Sequence, residues 1–195
     1  MKRRAFDIIA SAIGLFAAIV LLAAGSLLTW AHAFVQNQVH NELASQQIFF
    51  PAKDSPAIAA AEFAPMQKYA GQQLTSGEQA HTYADFFIAN HLKAIGGGLT
   101  YSQLSAKAQA DPKSTDLAAT VNTMFKGETL RGLLLNAYAF GKMGDLAGIG
   151  AIVAFSGSGV LFLLGGLGLV HARRVEATDE VFAARRGHAP TPAVA

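Results

Sequence analysis

Cysteine is absent from this 195-residue chain. That excludes disulfides, zinc sites built on thiolates, thiol nucleophiles and thiol-based quinone redox chemistry. Charge is missing from two long stretches, Ile8–Ala31 (24 residues) and Leu146–Val170 (25 residues), neither of which contains Asp, Glu, Lys or Arg. Spans without ionisable groups argue against an ion or proton pathway through this chain by itself. Gly157-Ser158-Gly159 lacks the flanks of a Gly-x-Ser-x-Gly nucleophile elbow and has no His or Asp beside it in the stretch. No Lys-Ser or Lys-Thr follows Gly96-Gly97-Gly98, so it reads as a helix terminator and not a phosphate loop. No internal repeat is visible.

What is present is membrane-like at both ends. A bilayer core is crossed by a helix of about 20 apolar residues, and both uncharged stretches exceed that length. Lys2, Arg3 and Arg4 precede the first, and Arg173 and Arg174 follow the second, with Arg185 and Arg186 beyond. Short basic flanks stay cytoplasmic, so both termini are expected inside and the 114 residues between the spans outside. That loop holds eight Lys or Arg against nine Asp or Glu, and Trp30 suits an aromatic anchor at the outer interface. The net charge of +2 and pI near 9.0 come from the cytoplasmic flanks, which suit anionic lipid better than nucleic acid. Ala31-His32-Ala33 has the form of a signal-peptidase site. A signal peptide's apolar region runs only about 7–15 residues, however, and a helical pattern continues past Ala33. An uncleaved signal anchor is therefore expected; cleavage would leave a single-pass protein.

The expected fold is an all-α membrane protein, two antiparallel transmembrane helices extended into a small helical extracytoplasmic domain. Its parts are a cytoplasmic N-terminus (1–7), the first span (8–31), the outer domain (32–145), the second span (146–170) and a cytoplasmic tail (171–195), disordered at its end. Val35, Val39 and Leu43 recur every four residues and continue the first helix beyond the membrane. Ile48-Phe49-Phe50 reads as a short extended piece closed by Pro51. Residues 51–75, with Pro51, Pro56 and Pro65, form a connector with room for a single helix at Ala57–Phe63. Thr75 and Ser76, each followed three residues later by Glu78 or Gln79, predict a capped helix over Gly77–Ile95. Its buried stripe comprises Ala80, Tyr83, Ala84, Phe87, Ile88, His91, Leu92 and Ile95. Thr100 with Gln103 caps a short helix ending before Asp111-Pro112, and Ser114 or Thr115 caps another with Leu117, Val121 and Phe125 inward. The segment from Glu128 to Phe140 leads into the second span or lies at the outer interface.

Three sets of residues are candidates for a role. Glu78, His81 and Asp85 share one helix face, and Glu-x-x-His is half of a di-iron site. No second copy exists, and a solvated first turn with a His81–Asp85 pair explains the same spacing. His91, among apolar neighbours, could ligate haem; the simpler role is a buried histidine bonded to a carbonyl or hydroxyl, Tyr101 being one partner. His32 and His40, near the membrane, could meet quinone headgroups or simply be surface polarity. The third set is small residues that let helices approach closely in lipid. Ala10, Gly14 and Ala18 lie four apart, level with residues 168, 164 and 160 if the spans align end to end, beside Gly168, Gly165 and Gly159. Gly150, Ala154 and Ser158 form a second stripe, expected either to receive a helix from another subunit or to face lipid.

Tyr83-Ala84-Asp85, His91-Leu92, the run from Gly96 to Leu104 and the run from Glu128 to Tyr138 resemble actinobacterial two-pass membrane proteins of unknown function. The resemblance extends from the first span through the second. It implies an integral plasma-membrane protein with a helical outer domain and no assigned activity. The label aromatic ring-opening dioxygenase is sometimes attached to that group, and the residues here offer no iron-ligand set to support it. The expected function is a non-enzymatic accessory or scaffolding subunit of a plasma-membrane assembly, without a cofactor. Its partners would be membrane lipids and other integral membrane subunits, not nucleic acid. The alternative is a metal- or haem-binding redox protein using the helix 77–95. A sensor signalling inward is disfavoured by a tail too short for an output domain.

Overall fold

Two long helices dominate the computed structural model, which describes residues 2–174; the expected disordered tail, with Arg185 and Arg186, lies outside the described residues. Helix α1 (Arg3–Ser45) and helix α5 (Thr115–Arg174) contain no proline, so no backbone hydrogen bond is forfeited along either. Between them stand α2 (Gly77–Thr82), α3 (Ala89–Ile95) and α4 (Tyr101–Ala110). Among the described residues there is no strand; Phe49 and Gln73 form an isolated antiparallel bridge.

Both long helices contain an 18-residue window apolar enough to cross a membrane, and only 17% of each window is buried. The core helix of a water-soluble protein would be mostly covered. Here Ile13, Phe16, Leu27, Ile152, Leu163 and Leu167 are each at least 65% exposed.

The chain divides into two compact units: residues up to Thr29 together with those from Ile149, and Trp30–Gly148. In the first unit the contacts are made by small residues. Ser158 Oγ donates to the Ala18 carbonyl at 2.8 Å, both residues being buried. Gly150 lies against Leu28, Gly157 against Leu21 and Gly165 against Leu15, and a Cβ at Gly168 would strike Ser11 Oγ. The buried positions recur every seven residues: Ser11, Ala18 and Gly25 on α1, and Ala151, Ser158, Gly165 and Ala172 on α5. A seven-residue repeat keeps one face of each helix turned toward its neighbour, and the small side chains let the backbones come close.

The second unit has a conventional apolar core. Val39 and Leu43 of α1 meet Phe50, Ile58, Met66, Leu74, Ala80, Ala84, Leu104, Met124 and Leu134. The extended piece pairs locally: Phe50 donates to Gln72 and Leu74 to Ile48, at 2.9 and 2.8 Å. Residues 51–75 differ from the expected single helix at Ala57–Phe63. Two 3₁₀ segments, Pro56–Ile58 and Ala61–Tyr69, take its place. Pro56 starts the first and Pro65 interrupts the second, and neither can donate a backbone hydrogen bond. Ile58 and Met66 are the residues this arrangement buries.

The capping boxes form as the spacing implies, Ser76 with Gln79 and Thr100 with Gln103. Gly97 and Gly98 end α3 at φ of +57° and +82°, a conformation that costs glycine nothing. The helix 77–95 is not uniform, because Tyr83–Ile88 forms a π-helical turn between α2 and α3. Its stripe is also narrower than the sequence suggests: His91 is exposed and Ile95 is 47% exposed. On α5, Leu117 and Val121 are half-buried, but Met124 takes the core place expected of Phe125, which is 54% exposed.

Candidate functional site

The polar candidates gather where α2 and the π-helical turn lie on α5. Gly77 makes this possible, since a Cβ there would stand 3.2 Å from Tyr138 Cα and 3.3 Å from the Ala137 carbonyl. Backbone contact at that point brings Glu78, His81 and Asp85 onto α5. Glu78 pairs with Lys142. His81 stacks on Tyr138 with ring centroids 4.4 Å apart. Asp85 holds His81 Nε2 at 3.1 Å through one oxygen, and its other oxygen accepts from Arg131 Nη2 at 2.8 Å.

So Glu78, His81 and Asp85 do share a face, and each takes a partner from α5, apart from the mutual His81–Asp85 pair. Arg131 also reaches Glu128 at 3.6 Å, and its Nε is buried without a hydrogen-bond partner. The bond to Asp85 holds the Arg131 guanidinium above its ordinary range, and the bond to Glu78 does the same for the Lys142 ammonium. These pairs are a third to a half exposed, where ion pairs contribute little stability and chiefly fix geometry. Chemically, Asp85 orients His81 as a carboxylate orients a general base. Among the described residues no serine or threonine hydroxyl is hydrogen-bonded to His81, and no group of three or more His, Asp or Glu is placed to hold a metal ion.

His91 is elsewhere. Its Nδ1 is bonded to the Phe87 carbonyl at 2.7 Å and its ring packs on Phe87 and Phe63. The carbonyl partner is its own helix's, not the Tyr101 hydroxyl, and the residue is exposed where burial was expected.

The small-residue candidates divide differently from the four-residue spacing. Ala18, Ala154, Ser158 and Gly165 are buried, Gly150 and Gly168 are half-buried, and Ala10 and Gly159 are exposed. A Cβ at Gly14 or Gly159 meets nothing within 4 Å. The stripe Gly150, Ala154 and Ser158 neither stands free for a partner helix nor faces lipid, the two expectations for it. Instead Gly150 faces Leu28 and Ser158 faces Ala18. The reason is the seven-residue repeat, which puts Ala151 and Ser158 on the facing side and carries Ala154 with them. Ser11, Gly25, Ala151 and Ala172 were missed, although their spacing of seven is legible in the sequence. Arg131, Tyr138 and Lys142 were missed because nothing local tells which helix will cover Glu78–Asp85.

No family model matches the chain, and no curated protein or solved structure matches it.

Proposed function

We propose that the chain is a two-pass plasma-membrane protein with antiparallel spans, cytoplasmic termini and an outer domain made by Trp30–Gly148, and that it serves as a non-enzymatic accessory or scaffolding subunit. The observation that carries the membrane reading is the large apolar side chains left uncovered along both windows. Water would penalise each exposed Leu, Ile or Phe that hydrocarbon accepts. The resemblance to actinobacterial two-pass proteins is part of the same proposal.

The scaffolding reading rests on a second apolar surface, outside the two uncharged stretches. Leu130, Leu133, Phe140 and Met143 occupy one side of α5 and are 39%, 62%, 53% and 62% exposed. Large apolar side chains left exposed on a domain meant for water mark an interaction surface. A partner subunit of the same membrane would cover it. The metal-binding alternative would require Asp85 to give up its bonds to Arg131 and His81.

Affinity purification in mild detergent, with mass spectrometry of the co-purifying proteins, tests this. Leu133→Glu should leave the fold within about 0.5 kcal/mol of wild type, as exposed substitutions do. It should reduce the recovered partner about tenfold, equivalent to roughly 1.4 kcal/mol of binding. Undiminished recovery from a folded Leu133→Glu protein would contradict the assignment of this face.

A further inference from the structure

A cavity of about 310 Å³ within the Trp30–Gly148 unit has His32, Gln36, Glu78, Tyr138, Lys142 and Asp145 among its lining residues. Its charges do not balance. The Lys142 ammonium is shared between Glu78 and Asp145, the latter at 3.8 Å, which leaves one negative charge over.

Its free hydrogen-bonding capacity is also one-sided. Gln36 Nε2 donates to Asp145 Oδ1 at 2.8 Å and to the Gly141 carbonyl at 3.2 Å. His32 Nδ1 lies 2.7 Å from the Gly144 carbonyl. A carbonyl only accepts, so Nδ1 donates to it. What remains on the walls is chiefly acceptor: the carboxylate oxygens of Glu78 and Asp145 and the Gln36 amide oxygen, against the Tyr138 hydroxyl and one remaining Lys142 N–H. The Tyr138 ring already holds the Lys142 ammonium at 5.6 Å from its centroid, so a cation is accommodated on that face.

A ligand complementary to this cavity carries one positive charge and several N–H donors, which describes a primary ammonium. Position narrows the source. His32 directly follows the first uncharged stretch in the chain and Asp145 directly precedes the second, so if the spans cross a bilayer the cavity lies at headgroup depth. We propose that this cavity binds the primary ammonium of an ethanolamine-type phospholipid headgroup. The depth, though not the ammonium chemistry, rests on the membrane reading above.

Two measurements test it on the full-length protein in detergent. In native mass spectrometry with equal amounts of phosphatidylethanolamine and phosphatidylcholine, the ethanolamine lipid should be retained about tenfold better. The quaternary choline has no N–H to donate, and a hydrogen bond to a charged group is worth about that factor. Glu78→Gln and Asp145→Asn should each bring the ratio toward one. Titration with free ethanolamine, a primary ammonium of charge +1, needs no membrane. Saturable binding that Asp145→Asn abolishes supports the ammonium site and assigns a soluble source if the lipid preference is absent. Lipid preference without binding of free ethanolamine supports the lipid source. Equal retention of the two lipids together with no binding of ethanolamine would overturn the proposal. So would a preference unchanged in both folded variants.

Discussion

Gly165→Leu is expected to destabilise the detergent-solubilised protein by about 1–3 kcal/mol, the cost of overpacking a filled interface. The β-carbon alone would stand 2.8 Å from Leu15 Cγ and 3.3 Å from the Ser11 carbonyl. Leu15 could swing aside, but the Ser11 backbone cannot move without shifting α1. The rest of a leucine would then push the two helices apart and strain the Ser158–Ala18 bond nearby. Gly159→Leu, on the same helix six residues earlier, is the matched control: no atom lies within 4 Å of its added Cβ. A thermal melt should separate the two variants clearly. Equal effects would mean that the seven-residue seam does not hold the first unit together.

In the second unit Leu74→Ala should have the largest effect, about 2–5 kcal/mol, as for other fully buried leucines. Leu74 has no exposed surface and packs in the cluster with Phe50 and Met66. Its backbone N–H also closes the bridge to Ile48 at 2.8 Å, so the substitution opens a cavity where two loop segments meet. Against a total stability of roughly 5–15 kcal/mol, that loss is large enough to expose residues 48–75 to limited proteolysis. Phe49→Ala, in the same bridge but 56% exposed, should melt and digest as wild type does. A Leu74→Ala protein as protease-resistant as Phe49→Ala would contradict the core described here.

Which parts of this fold are legible in the sequence follows from the range of the forces involved. Ser76, Thr100 and the Gly97-Gly98 turn act on backbone groups within four residues, so spacing alone identifies them. The long uncharged stretches are legible for the same reason, since length and composition decide them. The π-helical turn at Tyr83–Ile88 has no local signature. The small-residue seam is partly visible: reading every fourth residue picks out Ala18 and Ser158 but also Gly14, and aligning the spans end to end picks out Gly165 but also Gly159, while Ser11, Gly25 and Ala151 are passed over. One helix offers several small stripes, and only the neighbouring helix selects among them. The ion pairs of the candidate site show the limit most plainly. Glu78, His81 and Asp85 share a face by periodicity, whereas Arg131 and Lys142 lie 46 and 64 positions further along, joined to them only by tertiary packing.

The central claim is the two-pass arrangement with Trp30–Gly148 outside, and the missing cysteines make it directly testable. A single cysteine introduced at exposed Lys53, in one variant, and at Ala189, in another, gives two reporters on an otherwise thiol-free chain. With a membrane-impermeant thiol reagent, Lys53→Cys should be labelled in intact cells and Ala189→Cys only after the membrane is permeabilised. Labelling of Ala189→Cys in intact cells while Lys53→Cys stays protected would contradict the account.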